Sequence, residues 1–331
     1  MNILLWHVHG SWTTAFVQGA HTYLVPVTPD RGPDGLGRAR TFDWPPSVVE
    51  VPPGRLADAE VDLVVLQRPH EFRLAEQWLG RRPGRDIPAV YLEHNAPHGG
   101  VPDTRHPVAD REDPHLVLVH VTHFNRLFWD NGRIRIEVIE HGIVDPGHRY
   151  TGRLPRAAVV VNEPVRRGRT TGTDLLPLLA EAAPLDVFGM RTEGLAAHLD
   201  LPEDRCRTAD LPQARLHAAL AERRVYVHPV RWTSLGLSLL EAMHLGMPVV
   251  ALATTEVVRA VLPGTGVIST RPEVLAEAVR HYLADPSAAA ADGARARQAA
   301  LGAFGLKRFL AEWDRLIEDL TEDLTEEVTR R

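Results

Sequence analysis

The chain has 331 residues, 44% of them hydrophobic, and a formal net charge of −6. That suits two ordinary globular domains with cores of their own, and it argues against a nucleic-acid partner, which would select a basic face. The single cysteine, Cys206, excludes an internal disulfide and a multi-cysteine metal centre and reads as packing. No apolar run is long enough to span a bilayer, and the first residues lack a basic stretch followed by a cleavage site. Neither a membrane span nor a signal peptide is expected, and the cytoplasm is the expected location.

Apolar runs alternate with helical patterns from end to end, the mark of doubly wound α/β domains with parallel sheets. In the first half the pattern predicts strands over 3–8, 23–27, 61–66, 89–93, 116–121 and 137–140. Helices fit 13–19, 72–79 and 125–130, with 31–53 an irregular connection. The first strand runs into His7-Val8-His9-Gly10-Ser11, where Gly10 suggests a tight turn and Ser11 a helix N-cap. His9 is placed either to take an acceptor proton as a neutral imidazole or to serve only the turn. The strand over 89–93 ends at His94, with His98 and His106 further along, and no spaced Cys/His/Glu pattern makes these a metal centre.

A break in composition from Asp145 to Pro155 marks a boundary. The expected division is a first domain over 1–148, a linker over 149–156, a second domain over 157–305 and a final helix over 306–331. The second half predicts strands over 157–161, 185–188, 225–228 and 249–253 and helices over 173–183, 214–222, 238–245 and 272–284. The final helix puts Phe309, Leu310, Trp313, Leu316, Ile317, Leu320 and Leu324 on one stripe that needs a surface to bury it.

Two stretches of the second half carry chemistry. A loop holding Arg166, Arg167 and Arg169 follows the strand over 157–161, and ligands of open α/β sheets lie at the carboxyl ends of strands. Because Lys307 is the only lysine, anion contacts must come from arginine forks or backbone amides. The second stretch, from His228 to Val250, reads as a strand end, a glycine turn, a helix with one acid, and then Gly-x-Pro-Val-Val. Ser234, Leu235 and Gly236 open a helix whose N–H groups lack partners, which makes a cradle for a pyrophosphate. Glu241, five residues beyond Gly236, is placed to accept a pair of ribose hydroxyls.

The second stretch is similar to the motif Glu-Gly-Phe-Gly-Leu-x-x-x-Glu-Ala-x-x-x-Gly-x-Pro-Val-Val of GT-B glycosyltransferases, most closely the retaining family 4 (glycosyl transferases group 1). The loop from Val161 to Leu176 resembles that family's Gly-Arg-Leu-x-x-x-Lys-Gly-x-Asp-Leu-Leu, and Val138-Ile139-Glu140-His141-Gly142 resembles the end of its first domain. The resemblance implies the GT-B fold: two Rossmann-like doubly wound parallel-sheet domains facing a cleft, with the last helix crossing back onto the first. It implies a nucleoside-diphosphate sugar as co-substrate, no other cofactor and no metal, while the acceptor and the oligomeric state stay open. Arg166 matches the family's arginine, and Thr171 stands at its lysine, which Arg169 would replace. Thr233 stands at the first glutamate, His94 matches a histidine near the donor sugar, and Gly10 and Ser11 fall in the acceptor loop. The implied catalytic set is Arg166, Arg169, His94 and His9, and the implied donor-binding set is Thr233, Ser234, Leu235, Gly236 and Glu241. Two rival readings follow from the departures: a catalytically degenerate nucleotide-sugar-binding or partner protein, or an inverting transferase with His9 as base.

Overall fold

The computed structural model describes residues 1–38 and 41–322 and the backbone of 323–330. The chain divides into two compact units, Met1–Gly142 with Leu306–Arg331, and Ile143–Gly305.

The first unit is built on seven parallel strands: β1 (Asn2–Leu5), β2 (Thr22–Pro26), β3 (Val48–Val51), β4 (Leu63–Leu66), β5 (Ala89–Glu93), β6 (Leu116–His120) and β7 (Arg135–Val138). Their order is β3-β2-β1-β4-β5-β6-β7. The second unit has six, also parallel: β8 (Leu154–Val160), β9 (Leu185–Phe188), β10 (Cys206–Ala209), β11 (Arg223–His228), β12 (Val249–Leu252) and β13 (Gly266–Ser269), in the order β10-β9-β8-β11-β12-β13. In both units the first strand is central and the order reverses beside it. The crevice at the carboxyl ends of β1 and β4, or of β8 and β11, is where such sheets bind ligands.

Period-two alternation divides each central strand between two cores. On β11, Val225 and Val227 join one buried cluster with Val159 and Leu179. Tyr226 between them joins the other, with Leu239, Leu240 and Met243. Each fully buried valine or leucine side chain contributes about 1.5–3 kcal/mol of transfer free energy.

Several expected boundaries move. The helix expected at 13–19 spans Gly10–Phe16, and the strand expected at 137–140 is β7. β3 lies inside the expected irregular connection, and the expected elements did not include β10, β13 or the helix Pro286–Ala303. The segment 149–156 is part of the second unit and not a linker. The amides of Arg149 and Tyr150 bond to the Leu245 carbonyl at 3.1 and 3.0 Å, those of Thr151 and Gly152 bond to Ala221, and β8 opens at Leu154. The chain passes between units at 142/143 and 305/306 instead.

The last helix, Leu306–Arg330, packs in the first unit. Its Phe309, Trp313, Leu316, Ile317 and Leu320 are buried. The Trp313 ring meets Trp12 and Phe16 of the Gly10–Phe16 helix at centroid distances of 5.7 and 4.9 Å. Arg308 donates to the carbonyls of Glu140 and His141 at 3.0 and 2.6 Å. The side chain of Leu324, expected on the same stripe, lies outside the described residues. Among the described residues no helix is long and apolar enough to cross a membrane.

Candidate functional site

In the second unit two loops meet at the point where the strand order reverses. The first leaves β8 through a short helix, Pro164–Arg167, and two 3₁₀ turns, Gly168–Thr171 and Thr173–Leu175. The second runs from Pro229 to Gly236 after β11. They are tied by backbone: the Arg231 amide donates to the Thr170 carbonyl at 2.9 Å. Gly172 makes the contact possible. Its φ is +75°, and a Cβ there would lie 2.0 Å from the Pro229 carbonyl oxygen, so both its left-handed conformation and its missing side chain are required.

The arginines of the first loop sit on its rim. Arg166 is 68% exposed and ion-paired with Glu163, which also takes Arg191 at 2.6 Å. Arg169 is 76% exposed and meets Asp174 at 2.8 Å. Thr171, at the position the family fills with lysine, is buried. Its hydroxyl donates to the Gly168 carbonyl at 3.1 Å and lies 3.0 Å from Thr173 Oγ1, so it braces the loop. Sequence reasoning passed over Arg231. Its signal was position, three residues past the end of β11. Its side chain is only 26% exposed and grips both oxygens of Asp174, with Nη2 2.9 Å from Oδ2.

The helix after the second loop spans Leu237–Leu245, with Gly236 at its N-cap. This corrects the expected start. Ser234 and Leu235 precede the helix and are buried, Leu235 within the apolar core. The amides of Leu239 and Leu240 bond back to the Gly236 carbonyl at 3.1 and 3.5 Å. Those of Leu237 and Ser238 have no intrahelical acceptor and form the positive end of the helix. The glycine at 236 answers a neighbour within the protein: a Cβ there would meet His228 Cε1 at 2.4 Å. Burial pushes the His228 imidazole down to about 4, which keeps it neutral beneath the turn. Thr233 is half-buried at the lip. The helix ends where Gly246, at φ +87°, turns the chain so that the Met247 amide reaches the Ala242 carbonyl at 3.1 Å. Pro248 then leads into β12, which is the physical content of the Gly-x-Pro-Val-Val string.

Glu241 lies on the second turn of this helix but is buried. Gln213 Nε2 donates to its Oε1 at 3.1 Å, and His217 Nε2 lies 3.3 Å from its Oε2, both from the helix Gln213–Glu222. The carboxylate is therefore already oriented within the protein.

In the first unit the residues after β1 and β5 converge. The His9 and His94 rings pack at a tilt of 38° with centroids 3.9 Å apart, His141 joins at 6.4 Å from His94, and Trp12 closes the edge at 5.4 Å. His94 Nε2 bonds to Gln67 Oε1, beyond β4, at 3.0 Å. Desolvation lowers all three imidazoles, His9 to about 4 and His141 to about 3, so all are neutral at pH 7. His9, not Ser11, is the N-cap of the Gly10–Phe16 helix: the Thr13 amide donates to the His9 carbonyl at 2.8 Å, which places Ser11 within the first turn. Gly10 serves close packing, since a Cβ would meet the Phe42 ring at 2.5 Å. His106, rather than joining a metal set, bonds to Glu93 at 3.0 Å, and His98 is exposed. Among the described residues no group of three or more His, Cys, Asp or Glu could hold a metal ion.

Residues 180–299 match the family model of glycosyl transferases group 1. No curated protein sequence matches the chain. Among solved structures, the sucrose-phosphate synthase of Thermosynechococcus elongatus is similar at a TM-score of 0.66 and 16% identity, over 98% of this chain and 100% of that one. Anabaena Alr3699/HepE, solved in complex with UDP, is similar at 0.69 and 15%, over 96% and 100%. A TarM variant of S. aureus, in complex with UDP among other ligands, is similar at 0.60 and 13% over 77% of this chain; the match spans 55% of TarM's own length. At these identities the likeness is one of fold, and the fold is GT-B.

Proposed function

We propose that this chain is a glycosyltransferase that moves a sugar from a nucleoside-diphosphate sugar to an acceptor, with retention of configuration and without a metal ion. The observation that carries the reading is the joined pair of loops at the strand-order reversal of the second unit. Three arginines and the amino end of the Leu237–Leu245 helix surround it, in the unit whose residues 180–299 match glycosyl transferases group 1. Such a site suits a diphosphate. Guanidinium forks and preorganised amides hold the charge that grows on the leaving nucleotide without reorganising as it grows. Arg166 and Arg169 are proposed to meet that charge from the rim, and His94 and His9, in the first unit, are proposed to serve the sugar and the acceptor.

Retention is favoured over the inverting alternative by the state of His9. Its imidazole packs against another imidazole and burial pushes it to about 4, which makes it a weak general base at neutral pH. Turnover of an identified donor, with the product anomer followed by proton NMR, tests this; an inverted product would restore His9 as base, and absence of turnover with binding intact would leave a degenerate binding protein.

The donor is sought by thermal shift. Ligand at 100 times its Kd adds about 2.7 kcal/mol to the folded state, so nucleoside diphosphates and their sugars are ranked directly. UDP and UDP-glucose come first, since HepE was solved with each. If Glu241 holds the ribose, Glu241→Ala is expected to weaken nucleotide binding by about 1.5–3 kcal/mol, the scale of a charged hydrogen bond, with CD and melting preserved. Unchanged affinity by calorimetry would remove the ribose assignment. Thr233 offers the sugar a neutral hydroxyl in place of a carboxylate. Thr233→Ala should therefore cost only about 0.5–1.5 kcal/mol in kcat/KM, and donors lacking a sugar hydroxyl, deoxy-sugars included, should be accepted.

A further inference from the structure

We propose that Arg231, on the loop after β11, is the main cation for the donor's diphosphate, and that Asp174 is the positioning residue that presents it. The inference rests on the reading of the site as a nucleotide-sugar site and adds which guanidinium does the work. Three arginines surround the joined loops, and they are not equivalent. Arg166 and Arg169 extend into solvent at 68% and 76% exposure, whereas the Arg231 side chain is 26% exposed. The field of a solvated guanidinium is screened, whereas a sheltered one keeps more of its attraction for an anion.

The presetting is visible atom by atom. The Arg231 backbone is fixed by its amide on the Thr170 carbonyl, at 2.9 Å. Its Nη1 donates to the Arg169 carbonyl at 2.9 Å and to Asp174 Oδ1, and its Nη2 donates to Asp174 Oδ2 at 2.9 Å. That leaves Nε–H and the second Nη2 hydrogen, neither of which these bonds use, for phosphate oxygens. Asp174 Oδ2 also takes Arg169 at 2.8 Å, so one carboxylate holds two guanidinium groups at the mouth of the site. A lone carboxylate facing a diphosphate would repel it. A carboxylate fully engaged by two arginines leaves the cluster with a net positive charge and a fixed shape.

The two roles give opposite signs for one substitution. If Asp174 is only a negative charge near the anion, Asp174→Asn should tighten diphosphate binding. If it positions Arg231, Asp174→Asn should weaken it. The experiment is calorimetry with UDP and, as a probe free of base and ribose, inorganic pyrophosphate, on the full chain. Wild type is compared with Arg231→Ala, Arg231→Lys, Arg166→Ala, Arg169→Ala and Asp174→Asn, each checked by CD and melting temperature. Arg231→Ala is expected to weaken both probes at least tenfold and each rim variant less than threefold. Arg231→Lys should recover part of the loss, as a charge without the fork, and Asp174→Asn should weaken both probes several-fold.

Equal losses for Arg231→Ala and the rim variants would overturn the assignment to Arg231, and tighter binding in Asp174→Asn would overturn the positioning role. Should Arg231→Ala melt early, the folded Arg231→Lys variant decides alone: wild-type affinity for both probes removes the fork from the argument. If wild type binds neither UDP, nor other nucleoside diphosphates, nor pyrophosphate, the nucleotide-sugar reading fails together with this inference. Binding by wild type with indifference to Arg231 sinks the inference alone.

Discussion

Gly172→Ala is expected to abolish nucleotide binding and to destabilise the protein, although residue 172 presents no functional group. At φ +75° an L-residue incurs about 1–2 kcal/mol from its own backbone. The added Cβ would also sit 2.0 Å from the Pro229 carbonyl oxygen, so the two loops must separate. Separation breaks the bond from the Arg231 amide to the Thr170 carbonyl and moves Arg231 away from Asp174. Gly80→Ala is the control, since Gly80 lies in the same left-handed region at φ +68° with nothing within 4 Å of the added carbon. Chemical denaturation and nucleotide calorimetry on both variants make the comparison. The control should lose only the backbone increment and keep its ligand, and equal behaviour of the two would mean that the loop contact does not organise the site.

A steep loss of stability between pH 6.5 and pH 4 is expected next. Desolvation lowers the imidazoles of His9, His120 and His228 to about 4 and that of His141 to about 3. Each takes up a proton more readily in the unfolded chain, where the ordinary value is about 6.5. The sign follows: the folded state keeps its full stability above about pH 6.5, and each histidine withdraws stability as pH falls from there to its folded value. One imidazole moved from 6.5 to about 4 accounts for about 3 kcal/mol across that window, and several together exceed the margin of a typical domain. Urea unfolding at pH 7.5, 6.5, 5.5 and 4.5 measures the slope, and His228→Gln should lower it by about one proton. A flat profile down to pH 5 would mean that these imidazoles are protonated in the native state.

How much of this was legible in sequence differs between the middle of each sheet and its rim. Strands such as β4, β5, β6 and β12 are buried along their whole length, so their sequences are apolar runs, with a polar residue only at the end of β5 (Glu93) and of β6 (His120), and were placed close to where they lie. The strands left out, β3, β10 and β13, are edge strands with half-exposed sequences such as Val48-Val49-Glu50-Val51 and Cys206-Arg207-Thr208-Ala209, which carry no such run. The helix Pro286–Ala303 did announce itself. Asp285 caps it, accepting the Ser287 and Ala288 amides at 3.0 Å each, and Pro286 takes its first position, a pair that the alanine-rich composition obscured.

The sequence by itself determined the two parallel-sheet domains, the motif over residues 228–250, and arginine as almost the only source of cationic side chains, because these rest on local pattern, composition and period. Tertiary structure decided what those residues face. Gly236 is required by the His228 ring and Gly10 by Phe42. Ser234 and Leu235 turn inward, Glu241 is held by Gln213 and His217, and Arg231 is drawn to Asp174 from 57 residues away. The reason is physical: in a parallel sheet the loops that meet at the strand-order reversal come from strands separated by a full crossover, so their contacts leave no local period to read.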